Sequence, residues 1–154
     1  MKITIDELKE LQCLGRGACA TVYKYNDQTA IKIFNEKGKE MHTQDTFDKL
    51  IGIKNTTCIF PQQKVTIDGE ILGYTMEFVD GKPIHERIKT IDIEELIEAI
   101  KTVEEDLKDL AKEKILFQDF NHRWYALGWK EQKNKNYWYR FFCEVKWYNR
   151  TTKL

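Results

Sequence analysis

Two prolines and eight glycines in 154 residues leave no Pro- or Ser-rich linker, and no internal repeat is visible. Nowhere do about 18 apolar residues follow one another, which argues against a membrane span. The opening MKITIDELKE is too polar for a signal peptide, so a cytoplasmic protein is expected. Cys13, Cys19, Cys58 and Cys143 are scattered, with no C-x-x-C pair and no histidine at ligand spacing. That pattern disfavours a zinc site or a disulfide framework, and no metal ligands are assigned. The chain also lacks net charge, and from residue 120 onward it lacks aspartate altogether.

Hydrophobic residues at 42% and charged residues at 32% suit an ordinary globular domain with one core. The zero net charge hides an asymmetry. Residues 1–119 hold 17 Lys/Arg against 23 Asp/Glu, whereas 120–154 hold 8 against 2. All four tryptophans, Trp124, Trp129, Trp138 and Trp147, fall in that last segment, so the composition divides 1–119 from a basic, aromatic tail at 120–154.

Periodicity predicts an α+β chain. A short helical or extended lead-in carries Leu8 and Leu11, and strand material follows from Cys13 to Phe34 with a turn at Asn26-Asp27. One helix is predicted over 38–52 from the spacing of Phe47, Leu50 and Ile51. KVTIDGEILGYTMEFV reads as a hairpin turning at Asp68-Gly69. Ile93, Leu96, Ile97, Ile100, Val103, Leu107, Leu110 and Ala111 form a helical stripe over 93–111, opened by Asp92 and Glu95 as a capping box.

The chemistry begins at Leu14-Gly15-Arg16-Gly17-Ala18-Cys19-Ala20-Thr21-Val22, a glycine-rich turn between strands, followed by Ala30-Ile31-Lys32. Glycines let backbone approach a phosphate without a Cβ in the way, and a lysine on the next strand adds positive charge. This pairing resembles the glycine-rich loop and third-strand lysine of protein kinases, with Ala20 where a third glycine is usual. It is not a Walker A loop, because no G-K-[ST] ends it and a strand follows. Tyr74 to Gly81 is similar to the kinase hinge.

The resemblance spans residues 10 to 121 and implies an N-lobe of five antiparallel strands plus one helix, then a long helix. It implies further that Leu14, Val22 and Ala30 roof an adenine, Met76 is the gatekeeper, and the Glu77 carbonyl and Val79 amide bond the base. The 38–52 helix should supply an acid for Lys32. Asp45 is the first candidate, with Glu40 and Asp48 behind it, and solvated surface charges are an equal reading.

Lys114-Ile115-Leu116-Phe117-Gln118-Asp119 is similar to a divergent catalytic loop, with Asp119 at the base position and Phe117-Gln118 replacing His-Arg. The family pattern asks for a magnesium-binding Asn where Trp124 stands, and indole offers an N–H but no oxygen. No D-F-G aspartate or A-P-E follows within the chain. Magnesium and phosphoryl transfer are therefore not expected, while ATP is expected at most weakly.

The tail admits three readings. One is a nucleic-acid surface, although it fits no binding motif. Another is an aromatic strand pair covering apolar surface. A third comes from the codons: one back-translation of WKEQKNKNYWYRFF, shifted by one base, reads GKNKKIKIIGIDF, like the kinase segment at D-F-G. The expected function is a kinase-like ATP-binding fragment, probed against two alternatives. These are a non-catalytic interaction module and a kinase completed by a partner chain or a second copy.

Overall fold

A computed structural model describes residues 1–41, 44–83, 89–117, 125–128, 140–141 and 145–147. The chain divides into two units, Met1–Lys54 with Phe60–Phe78, and Asn55–Ile59 with Val79–Leu154.

The first unit opens with α1 (Ile5–Glu10), started by a reciprocal cap. The Glu7 N–H donates to the Thr4 hydroxyl (3.2 Å), and the Thr4 N–H donates to the Glu7 carboxylate (2.7 Å). The Thr4 N–H and, after it, the Thr4 hydroxyl (2.9 Å) both donate to that carboxylate and hold it below its ordinary range. Then come β1 (Gln12–Arg16), β2 (Ala20–Lys24), β3 (Thr29–Phe34), β4 (Gln63–Ile67) and β5 (Glu70–Glu77). They form an antiparallel sheet in the order β1-β2-β3-β5-β4, the five-stranded sheet that the sequence predicts.

Its turns follow residue chemistry. Asn26 Oδ1 accepts from the Gln28 N–H at 2.9 Å between β2 and β3. Asp68 and Gly69 adopt φ 51° and 88° between β4 and β5, the primed turn that an Asp-Gly pair favours. The β4 edge is covered by the N-terminus, where Lys2 bridges Thr66 in parallel and the Ile3 N–H reaches the Thr66 carbonyl at 3.1 Å.

Strand alternation gives the sheet two faces. Ile31 and Val65, both at 0% exposure, pack with Ile3 and Ile67 on one face, joined by Leu8 and Leu11. On the other, Ala20 and Phe34 pack with Phe47. The helix predicted over 38–52 is α2 (Glu36–Met41) and α3 (Gln44–Leu50), with 42–43 outside the described residues. It starts earlier than predicted because Asn35 caps it, and it ends where Gly52 turns left-handed at φ 88°.

In the second unit, α4 (Ile93–Lys112) is capped by Asp92, which accepts from the Glu94 N–H at 2.8 Å. The buried line differs from the predicted stripe. Ala99 and Leu110 are buried, whereas Ile93, Ile97 and Ile100 are 65%, 47% and 57% exposed. Eight apolar positions span more arc than the covered face, so that face centres on Ala99 and leaves three isoleucines along its flank. Asn55–Ile59 lies against α4: the Thr57 N–H and hydroxyl donate to Asp106 Oδ2 at 2.8 and 2.7 Å. Asn55 Oδ1 accepts from the Cys58 N–H at 2.7 Å.

In the same unit, β6 (Gly81–Pro83) pairs with β8 (Tyr125–Gly128), which pairs with β9 (Arg140–Phe141). β7 (Ile115–Phe117) pairs with β10 (Val145–Trp147), setting Trp147 opposite Ile115. The described part of the tail is thus strand backbone. Trp124, Trp129 and Trp138 lie outside the described residues. Among those described, no helix is long and apolar enough to cross a membrane.

Candidate functional site

The candidate residues of the first unit sit on the sheet according to register. Ala30 faces Met76 across β3 and β5, while Lys32 faces Val22 on one side and Tyr74 on the other. Opposed residues share a face, and so do alternate residues on one strand. Ala20, Val22, Ala30, Lys32, Tyr74 and Met76 therefore line a single face. Ala30 and Met76 are its buried floor, at 1% and 4% exposure, and Val22 is half-buried beside them. Leu14 lies in the β1 bulge and is 41% exposed.

The turn itself spans 17–19, closed by the Gly17 N–H donating to the Ala20 carbonyl at 2.8 Å. Gly15 ends up in β1 with an ordinary φ, and a Cβ built on it meets nothing within 4 Å. What glycine leaves there is open space, not a strained backbone.

Lys32 is half-buried, its ammonium 5.7 Å from the ring centroids of both Phe34 and Tyr74. At that range the ring faces attract the cation. Phe47 from α3 packs on the same two rings, with centroids 5.6 Å from Phe34 and 5.8 Å from Tyr74. The helix thus meets the sheet beside the lysine through aromatic contact. Of the acids named for Lys32, Glu40 is exposed and Asp48 pairs with Lys64. The Asp45 side chain is outside the described residues.

The hinge segment leaves the sheet after Glu77, which ends β5, and the Phe78 N–H donates to the Gln28 carbonyl at 2.9 Å. Val79 begins the second unit and is half-buried. Asp119 and Trp124 lie outside the described residues.

Asn35, exposed just after β3, ties the glycine-rich turn to α2. Its Nδ2 donates to the Ala18 carbonyl (2.9 Å) and its Oδ1 accepts from the Gly38 N–H (3.0 Å). An asparagine before a helix is a cap signal, but its second bond reaches 17 residues back and leaves no local mark.

No protein-family model matches the sequence. No curated protein matches it either. Among solved structures, the chain is similar to the kinase domain of M. tuberculosis PknI, with a TM-score of 0.58 and 17% identity. That match covers 85% of this chain and 56% of the PknI chain, so this chain spans little more than half of the domain it resembles. At that identity the likeness carries the fold alone: an α+β chain whose antiparallel five-stranded sheet and helices are those of a protein-kinase-like N-lobe.

Proposed function

We propose that the chain is a kinase-like fragment that binds adenine nucleotide on this sheet face and does not transfer its phosphate. The observation that carries the reading is the register. It gathers a small apolar floor (Ala30, Met76), an apolar flank (Val22), a lysine and a glycine-rich turn along one surface of one sheet. An apolar floor suits a flat base, and Lys32 with the turn suits an anion farther along. Glu77, which ends β5, carries the backbone carbonyl that would bond the base edge, as the kinase resemblance implies.

Thermal unfolding with and without ATP tests this. At ATP one hundred times Kd, binding stabilises by about 2.7 kcal/mol. In a domain of this size that is roughly 5–10 °C. Lys32→Ala should abolish the shift. Millimolar ATP that leaves the wild-type Tm unmoved would refute the reading.

A nucleotide-free interaction module is the second reading, favoured by the exposed Ile93, Ile97 and Ile100 along α4. It predicts no ATP shift, together with hydrophobic-dye binding that falls on Ile97→Lys.

A further inference from the structure

We propose that Asn35 is the positioning residue of the glycine-rich turn, locking turn and α2 into one body so that the turn acts on a nucleotide's phosphates. This rests on the nucleotide-binding reading above and names the residue that sets the anion end of that site.

Every kind of polar group on Asn35 is engaged. Its backbone N–H donates to the Cys19 carbonyl at 3.0 Å, and its carbonyl accepts from the Lys39 N–H at 2.9 Å. The side-chain Oδ1 accepts from the Gly38 N–H at 3.0 Å, while Nδ2 donates to the Ala18 carbonyl at 2.9 Å. Two bonds run to the turn and two to the helix. Only a side chain with a donor and an acceptor side by side closes both; aspartate keeps the acceptor and loses the donor.

Gly38 supports the same junction independently. A Cβ there would stand 2.1 Å from the Cys19 carbonyl oxygen and 2.8 Å from the Phe34 ring. Glycine is what lets the first turn of α2 come up against the tip of the glycine-rich turn.

The consequence for the turn is directional. In a trans peptide the C=O and N–H point opposite ways. Drawing the Ala18 and Cys19 carbonyls onto Asn35 therefore turns the Cys19 and Ala20 amides away from α2. Register also separates this junction from the base. Ala20 pairs with Phe34, Val22 with Lys32 and Lys24 with Ala30. Asn35 directly follows Phe34, so the clasp lies about 17 Å from Ala30 along the strand direction. Lys32 stands between them. Loosening the clasp should therefore weaken phosphate contacts and leave the base untouched.

The test is calorimetric titration of the full chain with ATP and, separately, with adenosine, for wild type, Asn35→Ala, Asn35→Asp and Gly38→Ala. Asn35→Ala should weaken ATP about tenfold, the weight of one hydrogen bond, with adenosine unchanged within about twofold. Asn35→Asp should lose ATP affinity similarly while keeping the acceptor for Gly38, so it carries the test if the alanine variant unfolds. Gly38→Ala should follow Asn35→Ala. Unchanged ATP affinity in both Asn35 variants, or ATP and adenosine weakened alike, overturns the role of Asn35 and leaves the nucleotide reading standing. A wild type that binds neither ligand overturns the nucleotide reading, and this role with it.

Discussion

Gly73 and Gly15 belong to strands of the same sheet, yet their surroundings place opposite demands on them. A Cβ on Gly73 would stand 1.9 Å from the Lys32 carbonyl oxygen and 2.9 Å from its carbon, so β3, its neighbour in the sheet, leaves no room for one. Around Gly15 there is open space within 4 Å, and neither glycine needs a left-handed backbone. Gly73→Ala should therefore cost about 2 kcal/mol or more in urea unfolding, because β3 must shift at the residue bearing Lys32. Gly15→Ala should stay within about 0.5 kcal/mol. Equal losses at both positions would contradict the packing at Gly73.

Cys58 offers a residue-scale test through pH. Burial pushes its thiol up from the ordinary 9.0 to about 11; the Thr57 hydrogen bond opposes this and the negative Asp106 adds to it. The folded pKa is the higher one, so the unfolded chain ionises first as pH rises. Stability from the neutral thiol is complete below pH 9 and is lost between 9 and about 11. Wild type should lose up to about 2 kcal/mol more over that window than Cys58→Ala. Parallel pH profiles for the two would exclude a buried thiol at this position.

At the scale of elements, what was legible in the sequence was local. The β4–β5 hairpin shows because its turn needs left-handed residues and Asp68-Gly69 supplies them. The helix α4 shows because its period is long and Asp92 opens it. The glycine-rich turn and Lys32 show because their spacing along two strands is itself a pattern. What stayed hidden depends on partners distant in sequence. Thr57 bonds Asp106 49 residues on, Asn35 bonds Ala18, and Phe34, Tyr74 and Phe47 meet around Lys32 from three elements. The rotation of the buried face of α4 is hidden for the same reason, since only its neighbours choose which isoleucines stay exposed.

One element end runs against its own chemistry. After α4, Lys114 adopts φ 63°, and its N–H donates to the Ala111 carbonyl at 3.0 Å. A left-handed residue after a helix is where glycine is favoured, because a Cβ is strained there. Lys114→Gly should raise stability by about 0.5–1 kcal/mol, read as a higher Tm. A lower Tm would mean that the lysine side chain contributes more than the strain costs.

At the scale of the whole molecule, the chain enters its second unit twice, first at Asn55–Ile59 and again from Val79 onward. The first visit is secured by the Thr57–Asp106 bonds. Phosphoryl transfer depends on positioning and on metal ions that neutralise charge building on the phosphate oxygens. The kinase pattern draws those metal ligands from an Asn, where this chain has Trp124, and from an Asp beyond it, where residues 120–154 contain none. Removing both should suppress nearly all the rate, even if Lys32 and the turn hold ATP. The 154-residue chain should therefore move no radiolabel from ATP to itself or to a generic substrate in the presence of magnesium. Trp124→Asn alone should not restore transfer, because the second ligand is still missing. Transfer by the wild-type chain that disappears on Asp119→Asn would show that other groups hold the metal, and the non-catalytic half of the proposed function would fall.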